Sequence, residues 1–271
     1  MDAREALLRI KDVIEHYGDE KVKHSFYLEF GRRLLVLQLV EEYCQKGGFV
    51  IDLGAQPFIM SCALKLMGYE VIAYDYDPEP YLSFAKMFDV KVVKCDLERD
   101  SLDLGSGSVD CAVLSEVLEH LHPYYVNHIL NEVNRVLKIR GRFIITTPNI
   151  ASLFRRMKLL LGMQPQYRFH VHEYTKDEVE RLLIEHGFKI VKSFYTEVND
   201  LFLLEATPED YLNLRNYWGL LRVAIKRPTR LNVLRATAYP IVKIVPSLRM
   251  HVVVIAEKVI PSSNLKRVER W

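Results

Sequence analysis

No pair of cysteines in this chain has the Cys-x-x-Cys spacing of a zinc ribbon or a dithiol redox motif, and the four present, Cys44, Cys62, Cys95 and Cys111, lie far apart. With two of them in expected strands, they read as reduced core residues of a cytoplasmic protein. No apolar run is long enough to cross a bilayer, and the opening residues Met1-Asp-Ala-Arg-Glu are charged, so neither membrane spanning nor secretion is expected. A net charge of only +2 argues against a general affinity for nucleic acid. Internal repeats and low-complexity segments are also missing, which excludes solenoid and linker-rich architectures.

What is present is ordinary in bulk. A chain of 271 residues with 49% hydrophobic and 27% charged side chains can bury a large core, and its length suits one elaborated domain. Helical spacing of apolar residues over 2–17 and 20–45 predicts two helices (domain segment 1–47), ended by Gly47-Gly48. Short apolar runs near 49–53, 70–75, 91–95, 109–114 and 142–147 then alternate with helical patterns. A helix near 175–186 leads through Gly187 to a strand at 188–195, and Met250-His-Val-Val-Val-Ile-Ala256 supplies a last strand. This alternation predicts an α/β fold, a doubly wound, mostly parallel sheet of seven strands. The core is expected over 48–199, an inserted helical cap over 200–248, the last strand over 249–260 and a loose tail over 261–271.

The first strand ends in Val50-Ile-Asp-Leu-Gly-Ala-Gln-Pro-Phe58, the place where an open parallel sheet binds its ligand. A dinucleotide loop needs Gly-x-Gly-x-x-Gly so that backbone can approach a pyrophosphate. Here only Gly54 stands, and neither Gln56 nor Phe58 after it is a glycine. This argues against a nicotinamide-dependent oxidoreductase and suits a nucleoside without phosphates, which requires one close backbone approach. Asp75 ends the second strand about 20 residues past the loop, where a carboxylate accepts from ribose hydroxyls. Asp96, followed by Leu97, ends the third, where it can accept from an exocyclic amine.

The succession IDLGAQPF, VIAYDYDP, VVKCD, SVDCAVLSEVLEHL, RVLKIRGRFIITTPN and HEYTKDEVERLLIEHGF resembles the class I S-adenosylmethionine-dependent methyltransferases. It is most similar to the branch containing the ubiquinone-biosynthesis O-methyltransferases and many sugar, lipid and natural-product enzymes. The resemblance implies S-adenosylmethionine as cofactor, with Asp52, Gly54 and Gln56 at its methionine end, Asp75 at the ribose and Asp96 at the adenine. Ser115 and Glu116 would border the methionine moiety and the acceptor. A non-catalytic adenosyl-ligand-binding subunit is the other reading of the same residues.

In Ser115-Glu-Val-Leu-Glu-His-Leu121 the residues Glu116, Glu119 and His120 would share one helical face, and His170 and His172 precede a helix that Thr175 can cap. A histidine returning over the sheet would complete a Glu-Glu-His-His set for a divalent cation, and some relatives use a similar set. Should the acceptor be a hydroxyl, His120 and His172 are the candidate bases. Finally, Tyr211 to Ala256 contains no acidic residue, while Arg215, Arg222, Lys226, Arg227, Arg230, Arg235, Lys243 and Arg249 are basic and interleaved with apolar residues. Such a segment suits peripheral contact with an anionic membrane, or receipt of an acidic or lipid-linked acceptor; alternatively it is a helical cap with solvated arginines. The oligomeric state has no signature here.

Overall fold

A computed structural model describes residues 1–17, 20–202, 204–214 and 216–261. Arg215 and the expected tail beyond Pro261 lie outside the described residues. Ala3, Leu7, Ile10 and Ile14 fall on one face of α1 (Ala3–Tyr17), and each is at most 1% exposed. The single helix expected over 20–45 is instead two, α2 (Glu20–Leu28) and α3 (Phe30–Tyr43). The break is at Glu29, whose backbone leaves helical geometry at φ −104°, ψ 6°. Its carboxylate turns back onto Arg32 at 2.8 Å and Arg33 at 2.6 Å, which holds the break in place.

The alternating part follows as β1 (Phe49–Leu53), α4 (Ile59–Leu66), β2 (Glu70–Asp75), α5 (Leu82–Lys86), β3 (Lys91–Lys94), β4 (Val109–Ser115), α6 (Pro123–Val136), β5 (Leu137–Pro148), α7 (Leu153–Leu160), α8 (Lys176–Glu185) and β6 (Phe188–Thr196). Helices α9 (Val198–Phe202), α10 (Pro208–Asn213), α11 (Tyr217–Lys226) and α12 (Arg230–Ile244) form the cap, and β7 (His251–Lys258) returns to the sheet. The seven strands lie in the order β3-β2-β1-β4-β5-β7-β6, with β7 antiparallel to both its neighbours. Side chains along a strand alternate between two apolar clusters, Val50 joining one and Ile51 and Leu53 the other, which is why the strands read as continuous apolar runs. The cap residues Ala236, Tyr239 and Val242 belong to the same cluster as α1 and α3, so cap and N-terminal helices cover one face together. Strand β5 starts earlier than expected because Arg140 takes a left-handed φ of 67° and shifts the register between Val109↔Leu137 and Cys111↔Arg142.

The cysteine expectation is corrected for one pair. Helix α3 ends with Cys44 beside β4, and Cys44 and Cys111 are joined as a disulfide with their Cα atoms 5.9 Å apart. Cys62 and Cys95 are free and buried. Among the described residues, no helix is long and apolar enough to cross a membrane.

Candidate active site

The strand order reverses between β1 and β4, and their carboxyl ends frame the site. Gly54 follows β1 with φ 68°, and a Cβ there would collide with the Val117 side chain. Its N–H and that of Ala55 donate to Tyr74 O at 2.8 and 3.1 Å, pinning the turn to β2. Phe58 adopts φ 66°, the left-handed conformation that a glycine would take without strain, and its ring is fully buried. That conformation costs roughly 1–2 kcal/mol, which burial of a phenylalanine, worth about 1.5–3 kcal/mol, offsets. The turn is thus kept with side chains in place of glycines.

The Gln56 N–H donates to Asp75 Oδ2 at 2.9 Å and its Nε2 to Asp77 O at 2.7 Å, so Gln56 ties the loop to the end of β2. A cavity of about 510 Å³ opens over these ends, lined by Gly54, Asp75, Tyr76, Asp96, Leu97 and His120. Its size suits a nucleoside. Asp52 lies behind the loop at 1% exposure, accepting from Ser61 Oγ at 2.5 Å. Burial pushes its carboxyl up to about 7, with Asp75 adding to the shift against the Ser61 hydrogen bond. Tyr76 is 69% exposed at the rim and was not singled out from sequence, although an aromatic directly after Asp75, the residue expected at the ribose, was the available signal.

The one-face arrangement of Glu116 with Glu119 and His120 is corrected. No helix runs through Glu116; it caps the end of β4 with φ 58°, and a 3-10 turn occupies Leu118–His120. The reversal turns its carboxylate towards the cap side, where it accepts from Thr146 Oγ1 at 2.9 Å and His251 Nε2 at 2.6 Å and pairs with Arg32 at 2.9 Å. A non-glycine residue held in this conformation by three partners is a mark of function. Ser115 Oγ, at the same strand end, lies 2.9 Å from Thr146 Oγ1.

Glu119 is 1% exposed and accepts from Thr147 Oγ1 at 3.0 Å. Burial raises its carboxyl to about 7. Ligand atoms of Glu119, His120 and His170 lie within 4.8 Å of one another, and the two imidazole rings are 4.9 Å apart. His120 Nδ1 donates to Phe169 O at 3.2 Å and His170 Nδ1 to the Glu173 carboxylate at 2.7 Å. Nδ1 partners of this kind orient a histidine so that Nε2 can serve as a ligand, so the donors fit a divalent cation. Glu116 is drawn out of this group by Arg32 and His251. His172 is not in it either: its ring packs on Tyr174 at 4.5 Å and it lines neither of the two cavities described here.

A second cavity, about 560 Å³, lies on the cap side, with Arg32, Glu116, Arg155, His170, Arg235 and His251 among its walls. His170 lines this one and His120 the first, so the paired rings stand where the two cavities approach each other. Burial, and then the charge of Arg32, push His251 down to about 3, so its imidazole is neutral. Sequence reasoning missed Arg32, Arg155 and His251, which only the fold brings together. For His251 a signal existed, a polar residue opening an otherwise apolar strand.

The family described as "Methyltransferase domain" matches residues 23–193. Among solved structures, the chain is similar to an S-adenosylmethionine-dependent methyltransferase from Archaeoglobus fulgidus (20% identity, 89% of this chain and 100% of that one, TM-score 0.58). It is likewise similar to one from Methanosarcina mazei (17%, 82% and 97%, 0.55). A third is the 1,6-didemethyltoxoflavin-N1-methyltransferase of Burkholderia thailandensis, with bound 1,6-didemethyltoxoflavin and S-adenosylhomocysteine (17%, 94% and 89%, 0.53). These likenesses concern the fold. Comparison with curated protein sequences finds no match. With the family matched over more than half its length, and the nucleoside-sized cavity at the switch point of its sheet, the chain belongs to the methyltransferase-domain family and is an enzyme that uses S-adenosylmethionine.

Proposed function

We propose that the protein is an O-methyltransferase acting on a small-molecule, sugar or lipid-linked acceptor, in the branch that resembles the ubiquinone-biosynthesis enzymes. The observation that carries this reading is the pair of cavities meeting at His120 and His170. In the first, Asp75 would accept from the ribose hydroxyls and Asp96 from the adenine amine, with Leu97 against the base. The second would hold the acceptor, and the enzyme's main contribution is to align the attacking oxygen with the methyl carbon. Burial, and then His170, lower the pKa of His120, so it stands ready as a neutral base for a hydroxyl proton. Should a divalent cation be used, Glu119, His120 and His170 would hold it, and it would supply Lewis acidity to the acceptor hydroxyl. His120 would then be a ligand and not the base.

A lipid-linked acceptor also accords with the cap, whose outer face pairs exposed cations with exposed apolar side chains and would contact an anionic membrane. The test has two steps. Calorimetry should detect S-adenosylhomocysteine binding, and incubation of the protein with methyl-labelled S-adenosylmethionine and a cell extract should label an oxygen of one metabolite class. Binding without any labelled product would favour the non-catalytic subunit, and label on nitrogen would remove the O-methyl assignment.

A further inference from the structure

Arg235 is the unusual member of the acceptor cavity. It projects from α12 yet is only 6% exposed, against the expectation that the cap arginines form one solvated or membrane-facing set. Its guanidinium stacks on the Phe154 ring at 4.3 Å, and Nη1 donates to the Met250 sulfur at 2.8 Å, a weak acceptor. The Nε has no partner among the described residues. Asp200 is the carboxylate whose charge reaches it, but no ion pair joins them; Asp200 Oδ2 accepts from the Met250 N–H at 3.0 Å and Oδ1 has no partner among the described residues, so charge attraction without contact is all that Asp200 offers. Burying a cation with so little compensation is costly.

The surroundings do not relieve that cost. Arg32 is committed to Glu29 and Glu116, and Arg155 to Glu173, leaving no carboxylate of this wall for Arg235. His251 beside them is neutral, and its Nδ1 also lacks a partner among the described residues. Lys158, on α7, brings one more cation to the same cavity and has no ion pair among the described residues. The wall is therefore short of negative charge at a spot with a planar donor fork, the geometry that grips a carboxylate or phosphate.

We propose that the acceptor carries an anionic group, a carboxylate or a phosphate, which Arg235 binds with Lys158 at the rim. His170 lines the same cavity on the cofactor side, so an acceptor anchored at Arg235 would offer its other end towards the methyl group. This inference rests on the second cavity being the acceptor site. It gives the basic cap segment a specificity role at one buried residue, separate from any attraction of its exposed cations to a membrane.

The probes are inorganic phosphate and acetate, titrated separately into the protein saturated with S-adenosylhomocysteine and followed by calorimetry. At least one should bind, and Arg235→Met should weaken it on the order of tenfold or more, the effect of a lost charge-assisted contact. Lys158→Glu, on an exposed position, should also weaken it, and S-adenosylhomocysteine should bind both variants as it binds the wild type. Tighter phosphate points to a phosphorylated acceptor, tighter acetate to a carboxylic acid. Equal anion binding by wild type and a folded Arg235→Met, or none by wild type, overturns the proposal. If Arg235→Met does not fold, unchanged affinity in Lys158→Glu does so. Failure of the wild type to bind S-adenosylhomocysteine would instead strike the methyl-transfer reading, and the anion titrations repeated without it would still decide this one.

Discussion

His251 Nε2 donates to the Glu116 carboxylate at 2.6 Å, joining residues 135 positions apart across the cap side of the sheet. Glu116 also pairs with Arg32, and the side chains of all three are no more than 14% exposed. Removing one partner from such a group leaves the others buried and unmatched. Glu116→Ala should therefore lower stability by about 3–5 kcal/mol, read as a shift of the urea midpoint. Glu116→Gln, which keeps a hydrogen-bond acceptor, should lose less. Equal midpoints for all three proteins would show that the triad holds nothing together.

Asp75 gives the cofactor test. Its oxygens accept from the Gln56 and Asp77 N–H groups, which fixes the carboxylate at the cavity wall. Asp75→Ala should weaken S-adenosylhomocysteine by on the order of 1–3 kcal/mol, since ribose hydroxyls would be desolvated without an acceptor. Unchanged calorimetric affinity in the folded variant would remove the ribose assignment.

A pH dependence follows from Asp52. Its carboxyl is raised from 3.8 to about 7 by burial, so between these values the native state holds a proton that the unfolded chain has lost. Stability from this group is therefore present at low pH, falls as pH rises through that window and levels off above about 7. Asp52→Asn keeps an acceptor for Ser61 and cannot ionise. The difference in unfolding free energy between variant and wild type should move in favour of the variant by a few kcal/mol from pH 4 to pH 8. A constant difference across that range would mean that Asp52 titrates normally in the fold.

Where the sequence was legible, a strong local period stood behind it. The central strands β1, β2, β4 and β7 were visible because they are buried on both faces, and α8 because Thr175 and Glu178 form a reciprocal cap. The gathering of Gly54, Asp75 and Asp96 at one cavity was legible too, since each lies at or just past a strand end and a parallel sheet brings such ends together. Glu116 was not, because a left-handed residue has no letter of its own and the Glu-x-x-Glu-His spacing mimics a helix. The second cavity was least legible: Arg32, Arg155, Arg235 and His251 come from four separate elements and meet only through the packing of the cap.

Metal use has a direct check. The ligand atoms of Glu119, His120 and His170 are already gathered within 4.8 Å, with Glu173 and Phe169 O orienting the imidazoles. If a cation completes the site, methyl transfer should fall in excess chelator and return with one divalent ion, and His170→Ala should lower metal content by elemental analysis at least tenfold. Full activity in chelator, with no metal found, would leave His120 as a base.

The cap makes the last prediction. On α11, Trp218, Arg222 and Ile225 fall at i, i+4 and i+7, so one face of the helix carries an indole at 71% exposure, a cation and an isoleucine at 80% exposure. Arg227 and Arg230 extend the charge towards α12, where Ile241 and Ile244 are also exposed. Not every basic residue contributes: Arg235 is buried, Arg249 donates to Val242, Lys243 and Tyr195 carbonyls, and Lys226 faces Asp210 at 3.5 Å. Each remaining cation near an anionic bilayer is worth about 1 kcal/mol and is screened by salt, while the apolar residues add burial at the headgroup boundary. The protein should sediment with anionic vesicles and not with neutral ones, and salt should release much of it. Arg222, Arg227 and Arg230 replaced together by Gln should abolish sedimentation and leave S-adenosylhomocysteine affinity intact, because the cavity proposed for the cofactor lies at Gly54, Asp75 and Asp96. A wild-type protein that ignores anionic vesicles at low salt would leave the cap as a lid over a water-soluble acceptor, and the lipid-linked class would lose its support.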